Sequence, residues 1–143
     1  MMIKQISVFL ENKPGQLAEL ANVLADHNVD MRALSVADTM DFGILRLIVD
    51  DPDRTCSILT KGGWVSSITP VLAVEIPDRP GGLAEILNIL SAHSVNLEYT
   101  YAFTSRKDNG AYMIFRVQDT EKAFEVLRAQ NVKLATQEEI YAL

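Results

Sequence analysis

The chain has 143 residues, 48% apolar and 22% charged, enough to build a core in one domain or two small ones. Its formal net charge of −6 argues against a nucleic-acid backbone or an anionic membrane as partner, since both select basic surfaces. No apolar run approaches the roughly 20 residues that span a bilayer, "MMIKQISVF" lacks the parts of a signal peptide, and Cys56, the one cysteine, excludes an intrachain disulfide, so a reducing cytoplasm is the expected location.

In chain order, a first strand is expected at 3–10, "IKQISVFL", where β-branched and apolar residues dominate. A Pro-Gly turn leads into a helix whose Leu17, Leu20/Ala21 and Leu24 keep the i, i+3/i+4, i+7 spacing. It ends near His27-Asn28, where the imidazole is placed to bond the last carbonyls. A second strand (29–37), the turn "TMDFG" and a third strand (44–50) follow. Asp51 is expected to cap a second helix that has Pro52 at its first position. Gly62-Gly63 ends that helix, and "WVSSI" (64–68) is expected as a short fourth strand with Trp64 as a packing residue.

After Pro70 the pattern starts again. A strand is expected at 71–76, then a Pro-Gly turn, a helix on Leu83, Ile86/Leu87 and Leu90 that ends at His93-Ser94, and a strand at 95–104. Within it, "LEYTYAF" alternates Leu97, Tyr99, Tyr101 and Phe103 on one face, read as sheet core or packing. The polar tip "SRKDNG", a third strand (111–117), a helix from Asp119, a short strand at 132–136 and a terminal helix "QEEIYAL" complete the chain.

The recurrence is written in the residues themselves. "PGQLAELANVLADHNVDM" (14–31) laid on "PGGLAEILNILSAHSVNL" (80–97) gives nine identities in eighteen, where about one is expected by chance. The order βαββαβ, twice, is the split-βαβ, ferredoxin-like plan of an α+β fold: antiparallel sheets with helices on one face. The expected domains are 1–69 and 70–143, packed side by side, since about 70 residues are marginal alone.

Both Pro-Gly turns place a glycine, Gly15 or Gly81, directly before a helix whose first N–H groups have no intrahelical partner. A backbone without Cβ at the positive end of the helix dipole suits a carboxylate. Asn12 and Asp78, just ahead, offer oxygens to an ammonium group. Together these outline an α-amino-acid site. Other chemistry has little support: His27 and His93 sit in different repeats, so no metal site is expected. No activated nucleophile, nucleotide loop or catalytic carboxylate pair stands out, so no catalytic residue and no cofactor is assigned.

"ENKPGQLAEL…HNVDM" and "PDRPGGLAEI…HSVNL" resemble the ACT domain, the small ligand-binding module attached to many enzymes of amino-acid metabolism. The resemblance covers both halves and implies modules that pair side by side, with an effector amino acid bound where the first strand-to-helix loop of one meets the second strand of another. Carried onto this chain, it implies Asn12, Lys13, Gly15, Gln16 and Leu17 in the first loop, and Asp78, Arg79, Gly81, Gly82 and Leu83 in the second. Asn96 matches the Asn that often starts the family's second strand, and Asp30 departs from it. The family's serine-binding members carry a His where this chain has Leu10 and Ile76, so the resemblance does not extend to serine. Gly82 in place of Gln16 is expected to leave more room, which favours the second loop.

The expected function is a non-catalytic sensor that binds a free amino acid, forms a homodimer, and is read by an enzyme of amino-acid metabolism regulated in trans. The alternative is a protein–protein assembly module with a closed pocket.

Overall fold

The computed structural model describes residues 2–38, 41–104 and 110–142; the first two residues of the turn "TMDFG" and all of "SRKDNG" but its glycine lie outside the described residues. The chain divides into two compact units. The first module is Lys4–Thr69 with the C-terminal residues from Ile140 onward, and the second is Pro70–Glu139 with the N-terminal residues up to Ile3.

The first module is built from β1 (Ile3–Glu11), α1 (Gln16–Asp26), β2 (Met31–Asp38), β3 (Phe42–Val49), α2 (Pro52–Lys61) and the start of β4 (Ser66–Pro77). β1 pairs antiparallel with β3, Val8 opposite Leu45, and β3 with β2, Leu34 opposite Leu47. On the other side of β1, the Phe9 N–H donates to the Val65 carbonyl at 2.9 Å. Ile6, Val8, Leu10, Leu45, Leu47 and Val49 from one sheet face meet Leu20, Leu24 and Leu59 from the helices in a single buried cluster. Each such side chain contributes about 1.5–3 kcal/mol on burial.

The second module repeats this with β4, α3 (Gly82–Ala92), β5 (Leu97–Ala102), β6 (Gly110–Val117) and α4 (Thr120–Ala129), followed by α5 (Gln137–Ala142). β6 pairs with β4 and with β5. Its core joins Leu72, Val74, Ile76, Phe115 and Val117 to Ile86, Leu90, Ala123 and Leu127. The βαββαβ order, antiparallel sheet and one-sided helices of both repeats stand as the sequence predicts.

Three details differ from expectation. The strands expected at 64–68 and 71–76 are one strand, β4, because nothing between them reverses the chain and Pro70 tolerates extended backbone. The strand expected at 132–136 contracts to a single bridge, Val74 to Leu134, held by Glu75 N–H to Lys133 O and Ala135 N–H to Ala73 O. Finally, the register of β5 shifts between Leu97, opposite Val117, and Tyr99, opposite Arg116. The extra residue of this bulge puts Leu97 against the core, while Tyr99 and Tyr101 stack on the opposite face, so the four side chains do not share one face. β2 carries the same irregularity between Met31 and Ala33.

The helix ends follow from backbone accounting. Asn28, Ser94 and Asn131 take positive φ, and the next residue in each case bonds the carbonyl five back, as in Val29 to Leu24 and Val95 to Leu90. His27 and His93 place Nδ1 2.9 Å from the Val23 and Ile89 carbonyls, the expected capping role. At the helix starts, Asp51 accepts from the Arg54 N–H and Asp119 from the Lys122 N–H, again as expected.

α5 ends on the first module. Arg32, its side chain only 12% exposed, donates to the carbonyls of Ile140 and Tyr141, each at 3.2 Å, and pairs with Asp30. The Tyr141 hydroxyl donates to the Asp51 carboxylate, which holds that carboxyl below its ordinary pKa together with the Arg54 N–H, and raises the tyrosine's own pKa.

Asp51 therefore supports the fold only when ionised. That support is present above the usual aspartate pKa and is lost as pH falls below about 4. Asp51→Ala is expected to cost about 1 kcal/mol at neutral pH, from loss of the cap, and to flatten the acid side of the stability–pH curve measured by urea unfolding. A second test concerns glycine. A Cβ on Gly82 meets the Pro77 carbonyl oxygen at 2.2 Å, so Gly82→Ala is expected to cost about 1–3 kcal/mol by forcing the backbone. Gly15→Ala meets no atom within 4 Å and is expected to cost about 1–2 kcal/mol through its φ of +83° alone. Thermal unfolding of the two variants, with their crystal structures, separates steric from conformational loss.

Candidate functional site

The two Pro-Gly loops leave their strands alike. Lys13 N–H donates to Glu11 O at 3.0 Å and Arg79 N–H to Pro77 O at 2.9 Å; Gln16 N–H reaches Lys13 O at 3.3 Å and Gly82 N–H reaches Arg79 O at 3.0 Å. Gly15 (φ +83°) and Gly81 (φ +85°) then turn the chain into α1 and α3 through left-handed backbone, which an L side chain adopts only with strain. Neither helix start receives a side-chain cap, in contrast to the aspartate-capped α2 and α4. Beyond Gln16 and Gly82, whose N–H groups bond the loop carbonyls, the first turns of α1 and α3 take no side-chain cap at the positive end of the dipole.

Around the first loop the structure forms a cavity of about 180 Å³ lined by Leu10, Glu11, Asn12, Lys13, Gln16, Leu17, Val36 and Gly43. That is below the ~300–1,000 Å³ of drug-sized sites and on the scale of a free amino acid. It brings together Asn12, Lys13, Gln16 and Leu17, four residues the sequence singles out. Lys13 and Glu11 form an ion pair at 3.2 Å on its rim, and Asn12 is fixed by its N–H to the Asp41 carbonyl at 3.0 Å. Leu17 is 44% exposed and offers the cavity an apolar wall.

The second loop uses the same residues differently. Arg79 turns back to Glu85 in the first turn of α3, 2.7 Å away. Leu83 packs on the core of its module. The room expected at Gly82 is occupied by backbone: the Pro77 carbonyl stands where a side chain would begin. Opposite Leu10 in the sheet is Gly43, whereas opposite its counterpart Ile76 is Ala111. Space at the loop is therefore a property of the first module's Gly43, with Gln16 as part of the wall.

Asp30 and Asn96 sit at the other ends of their modules. Val36, near the far end of β2, lines the first-loop cavity, and Asp30 precedes that strand, six residues or ~20 Å away along extended chain. The Asp30 carbonyl accepts from the Asp50 N–H, the Asp30 N–H donates to the Asp50 carboxylate, and the Asp30 side chain pairs with Arg32. Asn96 accepts from the Gln118 N–H and lines a separate surface cavity beside Asp119 and Lys122. Neither reaches the loop of its own module.

Sequence reading missed Leu10, Glu11, Val36 and Gly43 as cavity residues. Leu10 and Glu11 adjoin the motif, but Val36 and Gly43 become neighbours only through strand register, and "DFG" read alone is a turn signal. Among the described residues no helix is long and apolar enough to cross a membrane.

A family model described as an ACT domain pair matches residues 1–143, the whole chain. The chain is similar in structure to protein BT0572 from Bacteroides thetaiotaomicron, at 40% identity and a TM-score of 0.93, covering 100% of this chain and 98% of that one. It also shares its fold with the regulatory subunits of aspartate kinase from Thermus thermophilus (17% identity, TM-score 0.66) and Thermus flavus (17%, 0.62), with 90% of each chain covered in both comparisons. No curated protein sequence matches it significantly. Two βαββαβ modules, each opening on an uncapped Pro-Gly helix start, and a family match over the full length identify the chain as a member of the ACT domain pair family.

Proposed function

We propose that the protein is a non-catalytic sensor that holds a free amino acid at its Pro-Gly loops and passes the bound state to an enzyme of amino-acid metabolism. The observation that carries this is the first-loop cavity on an uncapped helix start. The ligand carboxylate takes the exposed N–H groups at the start of α1, with Lys13 adding positive charge. The Asn12 oxygen and Glu11 take the ammonium, and Leu10, Leu17 and Val36 meet the side chain. The cavity favours the first loop as the occupied one. Asp78, Arg79, Gly81, Gly82 and Leu83 form its counterpart in the second module, and Asp30 and Asn96 stand apart from the loop of their own module.

A second copy of the chain is the proposed assembly partner. Phe9, Phe42 and Ile44 are exposed on the sheet face away from the helices of the first module, Phe9 and Phe42 with rings 5.1 Å apart, an apolar patch that a homodimer covers. That two structures of this fold are regulatory subunits of aspartate kinase supports regulation in trans as the output. The rival reading, an assembly module, is favoured by the closed backbone at the second loop.

A thermal-shift screen against the twenty amino acids at millimolar concentration tests the proposal. A ligand present at about 100 times its Kd stabilises by ~2.7 kcal/mol, a rise in Tm of roughly 5–15 °C for a chain of this size. Asn12→Ala is expected to abolish the rise for the selected amino acid. A flat screen sinks the sensor reading in favour of the assembly module.

A further inference from the structure

The modules correspond residue by residue because their backbone hydrogen bonds recur. Trp64 N–H donates to Leu59 O and Val132 N–H to Leu127 O, both at 3.0 Å, which makes Trp64 and Val132 equivalent and sets Gly62 against Gln130. Each packs on the core of its own module. In the first module the indole lies over the bare backbone of Gly62, its Cδ1 3.2 Å from where a Cβ would stand. In the second, an isopropyl group replaces the indole, and a cavity of about 450 Å³ opens there, with Ile86, Ile89 and Val132 as its apolar wall and Pro77 of the second loop at one side.

We propose that this cavity is a second ligand site, separate from the first-loop cavity, and that it takes a free aromatic amino acid whose ring stands where Trp64 stands in the first module. Three features point to that class. The first module shows that a planar bicyclic group fits between the α1-type helix and the residues that follow the second helix. Ile86 and Ile89, one helical turn apart on α3, give such a ring an apolar wall. The rim is polar and carries both signs of charge: the Glu85 and Glu75 carboxylates accept from an ammonium group, and Lys133, 3.8 Å from Glu75, and the side-chain amides of Gln130 and Asn131 donate to a carboxylate. Glu85 is held in place by Arg79 at 2.7 Å. The site is independent of the loop reading, since none of these groups lines the first-loop cavity.

The test is titration of the intact protein with L-tryptophan and with indole, followed by amide resonances. Saturable shifts at Ile86, Ile89 and Val132 are expected with both. The double variant Gln130→Gly/Val132→Trp, which transplants the first module's solution, is expected to weaken L-tryptophan at least tenfold without lowering Tm. Ile89→Trp blocks the same volume from the helix side and is expected to do the same should the double variant misfold. Glu85→Gln is expected to weaken L-tryptophan 3- to 10-fold and leave indole unchanged. Asn12→Ala, at the first loop, is expected to leave all these shifts intact, so failure at one site is distinguishable from failure at the other. Absence of saturation at millimolar L-tryptophan, or undiminished binding in the plugged variants, overturns the proposal.

Discussion

The left-handed glycine between strand and helix is the constraint on which each module depends. A strand must turn through a tight junction and deliver a helix back across the sheet face that carries Ile6, Val8 and Leu10, or Leu72, Val74 and Ile76. Gly15 and Gly81 do this with φ near +84°, where a Cβ adds strain. The same turn leaves no side chain able to cap the helix. Thus the geometry that seats α1 and α3 on their cores also leaves the positive end of each helix without a side-chain cap. Fold and binding potential arise from a single backbone event, which explains why both repeats keep Pro-Gly while neighbouring residues diverge.

Divergence between the repeats is where function separates from architecture. The strand-to-helix turn, the αL helix ends and the aspartate caps of α2 and α4 are common to both modules because backbone groups need partners wherever the plan is used. The differences are side-chain volumes exchanged around two spots. At the loops, Gly43 and Gln16 keep space that Ala111 and the Pro77 carbonyl against Gly82 remove. At the ends of the second helices, Trp64 fills what Val132 leaves open. Each module thus has one filled and one open spot, in opposite arrangement.

Much of this was legible in the sequence because it rests on local rules. The histidine caps, the Asp51-Pro52 and Asp119 starts, and the i, i+3/i+4, i+7 stripes are short-range chemistry, and internal repetition reads each of them twice. What sequence reading missed is long-range. The bulge that sends Leu97 to the core is invisible in an alternating "LEYTYAF", since period-two counting assumes an unbroken register. A glycine reads as room, yet at Gly82 it marks the close approach of Pro77, a contact set by how the strand exits. Gly43 and Val36 enter the first-loop cavity only through cross-strand neighbours forty residues apart or fewer, which no motif encodes.

The C-terminus gives the first module a tie that its twin does not share in kind. Arg32 is the inserted residue of the bulge in β2, and the equivalent bulge residue in β5 is Glu98, whose carboxylate faces Arg116 at 4.0 Å. A bulge turns its extra side chain out of the pleat, and in the first module that side chain is a cation aimed at the last carbonyls of α5. The Tyr141 hydroxyl continues the tie to Asp51, so one carboxylate caps α2 and anchors the chain end together. Asp30, the partner of Arg32, stands just before β2, where the second repeat has Asn96. A charged residue there holds the arginine in position, which gives a physical reason for the departure: in the first module this position serves the C-terminal tie.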